Sequence, residues 1–147
     1  MSKTMRAFVL ERYGKMRALA LTDVPTPTLR DDEVLVQVHA AGVNQLDSKI
    51  RDGEFKLILP YRPPVVLGHD VAGVVVDIGP RVQQIKVGDE VYARLDDFRI
   101  GAFAEFVPVR EASRAPKPKG LTMEEAASLP LVALTAWQAL VEKADLK

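Results

Sequence analysis

The chain has 147 residues, enough for one domain with a substantial core, and its 48% apolar and 27% charged residues exclude a disordered chain. Twenty basic residues balance twenty acidic ones, so no global field favours nucleic acid or an anionic membrane surface. The absence of cysteine excludes disulfides, thiolate zinc sites and a thiol nucleophile together. The opening MSKTMRAFVLERYG lacks the apolar core of a signal peptide, and no run approaches the ~18 apolar residues of a membrane span. A cytoplasmic location is the expectation.

Residues 5–12 read as a first strand closed by Gly14, and residues 18–24 as a second, ended by Pro25 and Pro27. In residues 33–41 the alternation puts Val34, Val36, Val38 and Ala40 on one face and Glu33, Leu35, Gln37, His39 and Ala41 on the other, the pattern of a half-buried strand. His39 is read as a residue of the wetter face. Asn44 stands at the N-cap of a short helix over 45–51. Residues 52–68 form a loop interrupted by Gly53, Pro60, Pro63 and Pro64, of a length that commonly lines a site.

The centre of the sequence is 64–92, PVVLGHDVAGVVVDIGPRVQQIKVGDEVY. Its β-branched run over 71–78 suits a pleated surface and predicts a buried strand. Gly68, Gly73, Gly79 and Gly88 fall where tight turns or close backbone approach are needed, and a second short strand follows Gly88-Asp89. Residues 96–101 form a charged connection, 102–109 another strand, and 115–120 (APKPKG) a linker. Thr122 and Glu125 then form a capping box opening a helix of about two turns. Pro130 suits the start of a second helix whose apolar stripe is Leu134, Trp137 and Val141, with Trp137 read as core packing. Five to eight strands precede a helical tail, with the boundary near Gly120.

The ordered segments GVNQLDSKIRDG, PVVLGHDVAGVVVDIG, VGDEVYAR, GAFAEFV and EEAASLPLVALTAWQAL resemble the N-terminal catalytic domain of the medium-chain dehydrogenase/reductase superfamily, most closely its zinc-independent quinone oxidoreductase-like branch. The resemblance implies a mainly β fold: a GroES-like antiparallel β-barrel over 1–120, followed by a helical connector over 121–147 toward a nucleotide-binding domain. Within this sequence nothing reads strand, G-x-G-x-x-G, helix, so the chain is expected to be a fragment, inactive or nearly so alone.

The zinc enzymes of the superfamily use a thiolate where Asn44 stands and a histidine where His69 stands. A neutral amide is a poor zinc ligand, so no zinc is expected. A noncanonical site from His69, Asp70 and Asp47 is the metal-binding alternative. The resemblance implies NADPH-dependent reduction of quinones or α,β-unsaturated carbonyls, with hydride from the nicotinamide and alignment from the protein. It places the Asn44 amide and the Thr135 hydroxyl beside the nicotinamide, against local roles as an N-cap and a helix-bonded hydroxyl. Gln45 matches a position where some relatives contact a cofactor phosphate, and Leu46 replaces the hydroxyl of the zinc enzymes' proton relay. Asp47 is open between hydrogen bonds to His69 or backbone and an exposed helix start. Tyr61 is a candidate proton donor to a developing oxyanion, or else a packing anchor.

Rival readings are a free-standing GroES-like binding or assembly module and a zinc alcohol dehydrogenase fragment. Small-molecule quinones or enones are the expected partners, with no nucleic acid and no membrane. Apolar surface around Leu131, Leu134 and Leu140 is expected to be exposed and to promote homo-oligomers or self-association.

Overall fold

The computed structural model describes residues 4–59 and 61–146. Eight strands form two antiparallel sheets. The smaller has the order β2 (Ala20–Pro25), β1 (Thr4–Leu10), β4 (Val65–Val66), and the larger β7 (Phe106–Arg110), β3 (Glu33–Gly42), β5 (Asp70–Ile78), β6 (Glu90–Arg94), β8 (Arg114–Pro116). The mainly β, antiparallel architecture is as expected, but the strands pair as two sheets and not as one closed barrel. Residues 103–105 stitch them together: Phe8 N donates to the Phe103 carbonyl, Glu105 N to the Arg6 carbonyl and Val38 N to the Glu105 carbonyl. The expected strand over 102–109 is therefore split between this seam and β7. Pro108 and Pro116 lie on the two outer strands of the larger sheet, where a missing N–H breaks no ladder.

The valine run becomes β5 at the middle of the larger sheet, and its side chains fill the main core. Val71 and Val75 pack with Val34, Val36, Val91, Val107 and Val109. A Cβ at Gly73 would lie 2.0 Å from the Gln37 carbonyl oxygen, so only glycine lets β3 and β5 approach there. Gly68 and Gly88 hold φ of +104° and +95°, the left-handed turns that flank this strand pair. A second core joins Leu10, Ile50, Tyr61 and Leu67 beneath α1 (Gln45–Asp52).

The simple alternation expected in β3 fails at its ends. Register shifts lie between Leu35 and Val36 and between Val38 and Ala40. Gln37 and His39 are exposed as expected, but Glu33, assigned to the wet face, is fully buried. It accepts two 2.7 Å hydrogen bonds from Arg99 and one of 2.9 Å from Arg30 N. The expected loop 52–68 contributes β4, and the linker 115–120 begins inside β8, with Lys117 N still bonded to the Glu90 carbonyl.

The capping box forms as expected, with Glu125 N donating to Thr122 Oγ1 and Thr122 N to Glu125 Oε2. The helix it opens, α2 (Met123–Ala127), is shorter than the two turns expected. Ala126 and Ala127 pack on Ala72, and a Cβ at Gly42 would lie 2.5 Å from the Ala127 carbonyl oxygen. Small residues thus seat α2 directly on the sheet and deliver α3 (Pro130–Trp137) to the start of β5. A π-helical stretch, Gln138–Lys143, continues α3. Trp137 is 57% exposed, which corrects its reading as core packing.

Candidate functional site

Register builds the site. Pairing of Gly42 with Asp70 puts the end of β3 beside the start of β5, so the corner leading to Asn44 and the Gly68-His69-Asp70 corner become neighbours. Asn44 occupies the N-cap of α1, as its sequence position predicts. Its Nδ2 donates to Asp70 Oδ2 at 3.0 Å. Both Asp70 oxygens also accept from Leu131 N, at 3.1 and 3.2 Å. Because Pro130 opens α3, Leu131 carries the first N–H of that helix, a donor with no partner inside it. A carboxylate satisfies that N–H and complements the helix dipole. Burial pushes the Asp70 carboxyl above its ordinary range, and the bonds from Asn44 and Leu131 offset part of that push.

A second carboxylate braces the same corner. Asp47 Oδ1 accepts from His69 Nδ1 at 2.7 Å and from Gly68 N at 3.3 Å, while Oδ2 accepts from Asn44 N at 2.9 Å. Asp47 is thus a buried acceptor and not an exposed helix start. His69 is fully buried, its Nε2 has no hydrogen-bond partner, and the Tyr61 ring stands edge-on with centroids 6.4 Å apart. Tyr61 itself lies in the second core, with its hydroxyl donating to the Asp97 carbonyl. Burial, reinforced by the Asp97 charge, pushes its pKa up to about 12. In this structure the phenol donates to a backbone carbonyl and does not line the cleft.

An open cleft of ≈ 920 Å³ runs between the β6–β8 edge and α3, lined by Leu46, Arg94, Asp97, Leu134, Thr135 and Trp137 among others. Arg94 pairs with Asp97 on its wall. Thr135 is exposed one turn along α3 from Leu131, and its hydroxyl donates to the Leu131 carbonyl at 2.7 Å, leaving the oxygen's lone pairs as acceptors. The structure therefore connects Asn44 and Thr135 through Asp70 and the first turn of α3. Asn44, half-buried at the N-cap, and Gln45, exposed on α1, both lie outside the cleft lining, and Tyr61 stays beneath it. The linking role of Asp70 was missed in the sequence, where its only signal is a carboxylate at a strand start next to a histidine.

The donor set does not suit zinc. The amide at position 44 is bonded to Asp70 and the sequence has no cysteine, so of the zinc enzymes' donors only His69 is present, and one ligand does not make a site. Among the described residues no group of three or more His, Cys, Asp or Glu side chains is arranged to hold a metal ion. The alternative site from His69, Asp70 and Asp47 is not assembled, because these carboxylates converge on Asn44, His69 and backbone amides. No helix among the described residues is long and apolar enough to cross a membrane.

Comparison with known proteins agrees with this architecture. Residues 30–119 match the alcohol dehydrogenase GroES-like domain. The NADPH-dependent alkenal/one oxidoreductase, chloroplastic, of Arabidopsis thaliana is 40% identical over 146 residues, covering 95% of this chain and 38% of the relative. The quinone oxidoreductase from Coxiella burnetii superposes with a TM-score of 0.87 at 34% identity, over 99% of this chain and 46% of that one. A mycobacterial protein solved in complex with NADPH superposes with a TM-score of 0.85 at 34% identity, over 97% of this chain and 42% of that one. The chain thus spans less than half the length of each of these proteins. With the family match covering most of its length and a solved quinone oxidoreductase superposing over nearly all of it, the chain belongs to the alcohol dehydrogenase GroES-like domain family of the medium-chain dehydrogenase/reductase superfamily.

Proposed function

We propose that this chain is the substrate-side part of an NADPH-dependent oxidoreductase that reduces quinones or α,β-unsaturated carbonyls without zinc. The observation that supports the reading is the Asn44–Asp70–Leu131 network, which ties the Asn44 amide to the helix bearing Thr135. Reduced nicotinamide, when bound, supplies the hydride. Thr135 at the cleft, and Asn44 tied to its helix through Asp70, orient the reacting groups by hydrogen bonds, and Gln45 adds a polar contact from the first turn of α1. The apolar wall from Leu46, Leu134 and Trp137 holds a flat acceptor and displaces water from it. The names of the Arabidopsis and Coxiella relatives support the acceptor class, and the mycobacterial complex supports the cofactor.

Residues 1–120 form the catalytic domain in this reading and 121–147 the connector, a division supported by the family match ending at residue 119. Alone, the chain is expected to bind NADPH weakly and to turn over little. A cytoplasmic location remains part of this proposal, and cell fractionation tests it.

The direct test replaces the matching part of the Coxiella enzyme with residues 1–147. The chimera is expected to oxidise NADPH in the presence of a naphthoquinone or a 2-alkenal, unaffected by chelator. Asn44→Ala and Thr135→Ala are each expected to lower kcat/KM by about tenfold, the loss of one productive hydrogen bond. A folded chimera that binds NADPH but reduces neither acceptor, or that requires zinc, overturns the proposal.

A further inference from the structure

We propose that Asp70 is a positioning residue that fixes which end of the Asn44 amide faces the cofactor side and locks that orientation to the start of α3. A primary amide has a donor end and an acceptor end of nearly equal size, and only its surroundings decide which way it points. Asp70, as a carboxylate, offers acceptors only, so the end of Asn44 that meets it is the NH₂, at 3.0 Å. The carbonyl end is turned away from Asp70. Asp70 is 1% exposed, so water does not compete for its oxygens.

Asp70 itself has little freedom. Its backbone is paired on both sides, with Gly42 of β3 and Arg94 of β6. Its Cβ lies against the bare Cα of Gly42, where an added Cβ would come within 3.1 Å. Both of its oxygens are also engaged by Leu131 N. The main chain of Asn44 is held independently, by Asp47 Oδ2 on its N–H. Backbone and side chain of Asn44 are thus fixed by two different buried carboxylates, and the amide oxygen is left on the side of the Asp47 N–H at the start of α1, where its second lone pair can meet a ligand. Its complement is a donor, such as a carboxamide N–H or a hydroxyl. The identity of that ligand as the nicotinamide carboxamide rests on the proposed function, whereas the orientation of Asn44 does not.

The test exploits the fact that Asn44 is the only asparagine in the sequence. Labelling the full chain with ¹⁵N-asparagine yields one side-chain NH₂ pair. In the wild type, one of its two protons is expected to be shifted downfield and to exchange with water on the order of tenfold or more slowly than its twin, as for a hydrogen bond to a charged acceptor. Asp70→Asn keeps the volume and leaves one oxygen able to accept from Leu131 N. If Asp70 only caps α3, the Asn44 pair keeps its wild-type signature in this variant, and the proposal fails. If Asp70 orients Asn44, the slow proton is lost while amide protection across α3 remains. The wild-type measurement stands alone should the variant not fold: two equivalent, rapidly exchanging protons overturn the proposal. No cofactor is present in either experiment, so a negative result here is separate from failure of the chimera.

Discussion

Replacing Arg99 by Met strands the most deeply buried acid of the fold. Glu33 has no solvent exposure, and Arg99 grips it with Nε on Oε1 and Nη2 on Oε2, each at 2.7 Å. Removing one partner of such a pair costs roughly 3–5 kcal/mol when both are fully buried. Arg99 is 28% exposed and the Arg30 amide still donates to Glu33, so the expected loss is about 2–3 kcal/mol. With a urea m-value of about 1–3 kcal/mol/M, the unfolding midpoint falls by about 1–2 M. The acid side of the stability curve changes too. Burial alone pushes the Glu33 carboxyl up, and the Arg99 hydrogen bonds, the Arg30 amide and both positive charges outweigh it, leaving the carboxyl below its ordinary value of 4.5. A lowered folded-state pKa stabilises above the unfolded value, so this contribution is present at neutral pH and is lost as pH falls below about 4.5. R99M is expected to lack that acid-side decline, and the double variant Glu33→Leu/Arg99→Met to recover most of the neutral-pH loss. The segment carrying Arg99 also supplies Asp97, whose carbonyl receives the Tyr61 hydroxyl, so Tyr61 fluorescence should report the loosening. A midpoint unchanged by R99M, with an acid limb like the wild type's, refutes the reasoning.

Gly73→Ala forces a Cβ to within 2.0 Å of the Gln37 carbonyl oxygen and should cost at least about 2 kcal/mol, seen as a lowered Tm; a melt like the wild type's shows that the strands separate freely. Thr122→Ala removes the oxygen that accepts from Glu125 N and should cost about 1 kcal/mol by urea titration, with Thr122→Ser restoring most of it. The exposed apolar face of α3, with Leu134 at 46% and Trp137 at 57%, should make the chain self-associate in dilute buffer. Sedimentation velocity checks this: Leu134→Ser/Trp137→Ser should shift the boundary toward monomer, and a wild type that is monomeric throughout sinks the idea.

What the sequence disclosed and what it hid divide by range. The Thr122–Glu125 box, the N-cap at Asn44 and the turn glycines are local devices, complete within four residues, and each is found where the pattern places it. Glu33 was hidden because strict alternation presumes an unbroken ladder, and β3 shifts register between Leu35 and Val36. Its partner lies 66 residues away, beyond any local pattern. Trp137 was misread because helical spacing identifies an apolar stripe without saying that anything covers it. Asp70 was the hardest to see, since its meaning comes from segments 26 and 61 residues distant. The pairing of Gly42 with Asp70 brings those segments together, and it depends on the bulge between Val38 and Ala40. A one-residue slip of β5 against β3 would turn Asp70 to the opposite face of the sheet. Asn44 and Leu131 N would then lose their shared acceptor at once. A backbone irregularity in the strand that leads to Asn44 therefore sets the register on which the candidate site depends, which is why neither the hydrophobic pattern nor the motif spacing reveals it alone.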